Sequence, residues 1–194
     1  MSVSDSARIT NGFRGQAAVL LALKGEGKSQ HLLLTRRAMH LNIHRGEVAF
    51  PGGKWEEGDT SLLDTALRES NEEVALNPEC VEILGQLEPG TTGAGMRVTP
   101  FVGAVPDCLA LKANLRELDA LFWVPVAFLA TDIRVRTDIF VHGEREVWAP
   151  VYQWEGYTIW GFTARVIVSF LNSFIGAGIR RENVAEEVVF QRHS

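Results

Sequence analysis

Phe50-Pro51-Gly52-Gly53-Lys54-Trp55-Glu56-Glu57-Gly58-Asp59, followed after eight residues by Arg68-Glu69-Ser70-Asn71-Glu72-Glu73, is the stretch around which this chain is organised. A short strand-like run, Glu47 to Phe50, is stopped by Pro51 and opens into a glycine turn. The turn leads into a helix with carboxylates crowded along one side. A turn and helix of this kind read as a divalent-cation site facing a phosphate-bearing ligand.

Thr60 or Ser61 can cap that helix, with Ser61 and Asp64 as a weak capping pair, and the helix is expected to run to about Leu76, before Pro78. With Leu62 at zero and about 100° per residue, Leu62, Leu63, Ala66, Leu67, Ser70 and Val74 fall within roughly 0° to 140°, an apolar stripe. Glu69 then lies near about 340° and Glu73 near about 20°, side by side at the stripe's border, while Arg68 and Glu72 lie further out, near about 240° and 280°. Arg68 and Glu72 are i,i+4 neighbours and can pair, which leaves Glu69 and Glu73 facing one another. Two carboxylates about 5 Å apart repel by roughly 3 kcal/mol at an effective dielectric near 20, and a bound cation reverses that sign. Magnesium suits the arrangement because water and phosphate oxygens complete its octahedron. A carbonyl at Gly52-Gly53 could add a further ligand, since the backbone can approach closely there. An E-x-x-E-E string on its own also fits a solvated acidic face.

Upstream, Gln16 to Lys24 and Gln30 to Arg36 are apolar runs separated by Gly25-Glu26-Gly27-Lys28-Ser29, so an antiparallel hairpin is expected. Downstream, strands are expected at Val81 to Leu87, Arg97 to Val105, Cys108 to Lys112, Ala120 to Val124, Ile133 to Val141 and Val147 to Trp154. The run from Ile133 alternates with Arg134, Arg136 and Asp138. Gly161 to Ile175 reads as a second helix with Ala164, Ile167, Val168 and Leu171 on one stripe. Many strands and two main helices without regular alternation indicate an α+β layered domain.

The 194 residues are enough for one substantial core, and a single domain spanning 1–194 with fraying ends is expected. The net charge of -5 argues against a general nucleic-acid binder. Cys80 and Cys108 form no C-x-x-C pair and read as free thiols. No apolar run is long enough to cross a bilayer, and Met1 to Ser6 lack the features of a secretory signal, so a cytoplasmic location without membrane attachment is expected. Positive charge is concentrated locally. Arg36, Arg37, His40, His44, Arg45 and Lys54 fall within nineteen residues that contain one acid, Glu47. This places cations where an anionic ligand would arrive, and Arg36, Arg37, Arg45 and Lys54 are the candidate contacts, Arg37 and Arg45 foremost. An arginine paired with Glu47, Glu56 or Glu57 is the competing reading. His40 and His44 have H-x3-H spacing, but on a loop, so zinc is discounted. Trp123 and Trp160 are expected in the core, and Trp55 beside the ligand.

Gly53, five residues, Asp59, eight residues, then Arg68-Glu69-Ser70-Asn71-Glu72-Glu73-Val74-Ala75-Leu76 resembles the Nudix box, G-x5-E-x7-R-E-U-x-E-E-x-G-U. Asp59 stands where Glu is usual, one extra residue precedes Arg68, Ser70 replaces an aliphatic and Ala75 replaces glycine; Arg68, Glu69, Glu72 and Glu73 are untouched. The run Leu33-Leu34-Thr35-Arg36-Arg37-Ala38-Met39-His40-Leu41-Asn42-Ile43-His44-Arg45-Gly46-Glu47-Val48-Ala49-Phe50-Pro51-Gly52-Gly53 is similar to the second signature of the coenzyme A pyrophosphatase branch, L-L-T-x-R-[SA]-x2-L-x2-H-x-G-E-[VI]-[AS]-F-P-G-G, and this match is the more specific. The extra residue before Arg68 is a habit of that branch. Weaker similarity continues through Phe122-Trp123-Val124-Pro125 and Ile159-Trp160-Gly161-Phe162.

The resemblance implies a Nudix fold, a mixed β-sheet sandwiched between α-helices, and hydrolysis of a pyrophosphate bond with Mg2+ or Mn2+. For coenzyme A the products would be 3′,5′-ADP and 4′-phosphopantetheine. Glu69 and Glu73 become the metal ligands, with Glu72 joining directly or through water and the Gly53 carbonyl adjacent. Arg68 would hold Glu72, and Glu117, just before a predicted strand, is the candidate base, an exposed loop carboxylate being the alternative. Another nucleotide substrate such as ADP-ribose, NADH or a dinucleoside polyphosphate, and a silent nucleotide-binding regulator, remain as alternatives. Monomer or homodimer is left open.

Overall fold

The computed structural model describes residues 13–191. The opening segment read for a signal, and the last three residues, lie outside the described residues. The expected hairpin is present. Strand β1 (Gln16–Lys24) pairs antiparallel with β2 (His31–Arg37) at Leu23 opposite Leu32. The two strands then diverge, and the segment between them is filled by β3 (Val48–Ala49), paired with β2, and β4 (Gly52–Lys54), paired with β1. The Leu20 N–H donates to the Pro51 carbonyl at 2.9 Å, closing the gap. Gly52 is required there. Its φ is +150°, and a Cβ would sit 2.3 Å from the Ala18 carbonyl oxygen.

The catalytic-looking helix α1 (Leu62–Val74) starts at Ser61, whose hydroxyl accepts from the Asp64 N–H. After it come β5 (Glu82–Gln86), β6 (Gly90–Thr91), β7 (Arg97–Ala104) and β8 (Leu118–Pro125). β7 lies parallel to β1, and β5 and β6 pair antiparallel with β7, while β8 pairs with β2. A short helix α2 (Val126–Ala130) leads to a second sheet of β9 (Arg136–His142), β10 (Arg145–Trp154), β11 (Tyr157–Ile159) and β12 (Glu187–Gln191), in the order β11-β10-β9-β12. Helix α3 (Gly161–Phe170) continues through a wider turn at Leu171–Ile175.

Strand alternation divides the core into two layers. Leu21, Leu23, Leu32, Leu34 and Val102 pack toward α3, against Ala164, Ile167, Val168 and Leu171. Ala18, Leu20, Ala22, Leu33 and Phe101 pack toward α1, against Leu62, Ala66 and Val74. The first sheet therefore lies between two helices, as expected for an α+β Nudix fold. Among the described residues no helix is long and apolar enough to cross a membrane. Cys80 and Cys108 are free thiols.

Three expectations are corrected. Cys108 to Lys112 is not a strand: the segment runs as a loop, and the Lys112 N–H caps the Val74 carbonyl at 3.0 Å. β9 begins at Arg136, two residues after Arg134. The Arg134 side chain is fully buried, tied to the Asp132 carboxylate, to Thr137 Oγ1 and to the carbonyls of Arg180 and Arg181. Trp160, expected in the core, is exposed.

Helix α1 ends at Ala75, which adopts the left-handed conformation with φ of 56°. A side chain with a Cβ is strained there, and glycine is the usual residue. Ala75→Gly is expected to raise the free energy of unfolding by about 1 kcal/mol, read by urea denaturation. An unchanged or lowered midpoint would contradict the strain.

Candidate active site

The α1 face that meets β4 carries the site. Thr65, Glu69 and Glu73 follow one another along the helix toward Gly52-Gly53. Glu73 is only 3% exposed and lies inside the buried stripe, not at its border, because the glycine strand covers it. Its Oε2 accepts from the Gly52 N–H at 3.1 Å. Glu69 packs directly on Gly53: a Cβ at that position would stand 2.4 Å from the Glu69 carboxyl carbon. Glycine at 53 is thus what allows strand and carboxylate to approach.

Burial pushes Glu73 up to about 7, with repulsion from Glu69 and Glu117 adding to it and the Gly52 N–H and Arg37 opposing. Burial also raises Glu69, with Glu72 and Glu117 adding, against the neighbouring Arg68. Three carboxylates, Glu69, Glu73 and Glu117, therefore sense one another. Glu72 is turned outward, its side chain 55% exposed.

Arg68 makes the expected i,i+4 pairing with Glu72, but its shorter bonds go to Asp59. Its Nε and Nη2 form a fork on Asp59 at 2.9 and 3.1 Å, and Nη2 also donates to the Lys54 carbonyl at 3.1 Å. Glu69 lies 3.2 Å from Nη1, and Glu72 is reached only at 3.4 Å. Asp59, where Glu is usual in the family, is buried. Burial alone would raise its pKa, but hydrogen bonds from Arg68, the Glu56 N–H and Thr65 hold it below the usual range. In the sequence Asp59 stands out only as a departure from the motif; in the structure its hydrogen bonds join the glycine loop to the helix. Trp55, half-buried, donates from Nε1 to the Asp59 carbonyl and packs on the α1 core.

The candidate cations separate by strand alternation. Arg37 turns toward α1, with Nη1 3.9 Å from Glu73 Oε1, and its buried Nε has no hydrogen-bond partner. Arg36 turns to the other face, bound to Asp119 at 2.6 Å and lying over the Tyr157 ring. Arg36 is therefore removed from the carboxylates. Arg45 and Lys54 are exposed. Glu47 pairs with His44, and His40 contacts the Arg116 carbonyl, so the two histidines do not converge.

Glu117 is half-buried and accepts from Asn114 Nδ2 at 3.2 Å. Among the described residues no group of three or more His, Cys, Asp or Glu side chains is arranged to hold a metal ion by itself. The paired Glu69 and Glu73 nevertheless suit a hard cation. They supply oxygen donors, repel one another when both are charged, and lie against a glycine that leaves space for approach. The remaining coordination positions fall to water and ligand oxygens.

The sequence profile of the NUDIX domain matches residues 13–141. The chain is 42% identical over 154 residues to a protein described as uncharacterized Nudix hydrolase NudL from Escherichia coli O6:H1, covering 78% of this chain and 79% of that one. It is 44% identical over 156 residues to the similarly described protein of Enterobacter sp. strain 638, covering 79% and 80%. Among solved structures, a MutT/nudix family protein from Enterococcus faecalis superimposes with a TM-score of 0.53 at 16% identity, over 91% of this chain and 70% of that one. An Ap4A hydrolase from C. elegans gives a TM-score of 0.50 at 18% identity, over 57% and 80%. The chain belongs to the Nudix hydrolases, enzymes that cleave pyrophosphate bonds and generally use divalent metal ions.

Because Glu73 binds its proton more tightly folded than unfolded, it contributes stability fully below about pH 4.5 and loses it as pH rises through about 7. A rise from 4.5 to about 7 corresponds to about 3 kcal/mol. Metal-free protein is expected to lose stability across that window, and Glu73→Gln to flatten the loss. A wild-type melting profile that rises between those pH values through the same residue would contradict the burial of an uncompensated carboxylate.

Proposed function

We propose that the protein hydrolyses the pyrophosphate bond of coenzyme A or its derivatives, releasing 3′,5′-ADP and 4′-phosphopantetheine or its acyl form. The observation that carries this reading is the run from Leu33 to Gly53, whose pattern is similar to that of the coenzyme A pyrophosphatase branch. In the fold this run passes from β2 through the basic loop to the glycine strand against Glu69 and Glu73.

Glu69 and Glu73 would hold magnesium or manganese, with the Gly53 carbonyl beside them and Glu72 joining through water. A divalent cation there supplies charge neutralisation for the phosphates and lowers the pKa of water. Arg68 fixes the helix to the glycine loop through Asp59 and so keeps Glu69 in place. Arg37, with an unpartnered buried Nε, offers its guanidinium to a phosphate oxygen. Arg45 and Lys54 extend the positive rim at the exposed side. Glu117 takes a proton from the attacking water as its oxygen bonds to phosphorus and the anhydride P–O bond breaks. Arg36, already committed to Asp119, is left out of the ligand contacts.

A substrate panel with magnesium and with manganese, products identified by mass, tests the reading. The expected result is 3′,5′-ADP from coenzyme A at a higher kcat/KM than release of products from ADP-ribose, NADH or a dinucleoside polyphosphate. Efficient cleavage of one of those with no 3′,5′-ADP from coenzyme A would replace it. Glu69→Gln and Glu73→Gln are expected to fold and to lose turnover by about a hundredfold or more. Near-normal rates in both would remove the metal site from this face. Gly53→Ala is expected to displace the Glu69 carboxylate, which can swing aside, and so to cut turnover while leaving the fold intact.

A further inference from the structure

Glu117 lies near enough to Glu69 and Glu73 for their negative charges to repel it, and an unrestrained carboxylate on a loop would turn away from them into water. The loop that carries it is built against such a swing. Helix α1 ends with carbonyls that have no partner within the helix. The Lys112 N–H donates to the Val74 carbonyl at 3.0 Å, and the Asn114 N–H to the Glu73 carbonyl at 2.8 Å. The loop thus begins as a cap on the helix that carries Glu69 and Glu73. Asn114 then forms a tight turn, its carbonyl accepting from Glu117 and Leu118 N–H groups at 2.9 Å each. At the far end the Glu117 carbonyl accepts from the Ala38 N–H at 2.8 Å, next to Arg37.

The backbone is fixed at both ends, and the side chain of Asn114 completes the arrangement. Its Oδ1 accepts from the Arg116 N–H at 3.2 Å, which leaves Nδ2 as the end that donates to Glu117 Oε1 at 3.2 Å. Among the described residues this is the hydrogen bond that the Glu117 carboxylate receives. We infer that Asn114 is a positioning residue: its amide N–H holds Glu117 facing Glu69 and Glu73 against their repulsion, and ties that orientation to the end of the helix carrying them. The inference rests on the proposed role of Glu117 as the base.

Asn114→Asp separates this role from a merely structural one. Aspartate keeps an oxygen for the Arg116 N–H, and so keeps the turn, but replaces the donor to Glu117 with a second negative charge. Steady-state kinetics of the full chain, with magnesium and whichever of coenzyme A or ADP-ribose it cleaves faster, would compare Asn114→Asp, Glu117→Gln and the double variant. The expected result is a kcat loss of about tenfold or more in Asn114→Asp, with KM and melting temperature unchanged, and no further loss when it is added to Glu117→Gln. Equal losses in both backgrounds, or wild-type turnover in Asn114→Asp beside a slow Glu117→Gln, would overturn the inference. Wild-type turnover in Glu117→Gln would instead remove the base and the inference with it. Should Asn114→Asp fail to fold, Asn114→Ala read in the same two backgrounds decides in the same way.

Discussion

The contact on which the rest of this structure depends is the one between two glycines and two glutamates. β1 and β2 start as a hairpin and separate, and the chain returns to fill the opening with Val48 to Lys54. Within that run, Gly52 is the position where the β1 backbone leaves no room for a Cβ. At Gly52 a side chain would strike β1, and at Gly53 it would strike Glu69. The close passage covers Glu73, removes it from water and raises its pKa. A fully charged carboxylate pair in that setting is costly unless a proton or a cation joins it, which is what supports the proposal of a metal ion there.

Around that contact the fold assigns charge by face. The sheet separates α1 from α3, and adjacent residues of β2 point to opposite layers. Arg37 therefore faces Glu73 while Arg36 is consumed by Asp119. Arg68, whose attachment to Asp59 raises its own pKa further, links helix, glycine loop and Glu69 in one polar junction. The loop carrying Glu117 is capped onto the end of the same helix. Glu69, Glu73, Arg68, Arg37 and Glu117 are thus all referred to α1.

Much of this was legible. The apolar runs of β1 and β2, the caps of α1 and the stripe of α3 are periodic and long, and they lie where periodicity places them. Glu69 and Glu73 were paired by helix angle alone. The depth of Glu73 was not readable, because the stripe is set by what covers the helix, and the cover is a glycine strand with no apolar signal. β4 and β11, three residues each, and α2, five residues, are too short for periodicity to reveal. Cys108 to Lys112 is an apolar run ending in lysine, yet its Leu109 N–H closes a turn on Pro106 and its Lys112 N–H caps α1, so tertiary pairing overrides the pattern. Arg36 and Arg37 are neighbours in one basic run, and the strand sets them on opposite faces. Asn114 carried only the weak signal of an asparagine in a turn three residues before Glu117.

The central claim is that the proposed metal site and the raised proton affinity of Glu73 are one feature. Calorimetric titration of manganese into metal-free protein at about pH 6.5, repeated in buffers of different ionisation enthalpy, counts the protons released on binding. The account predicts release of a substantial fraction of a proton from the wild-type chain, and loss of both that release and most of the affinity in Glu73→Gln. Tight manganese binding without proton release, or undiminished binding in Glu73→Gln, would contradict it.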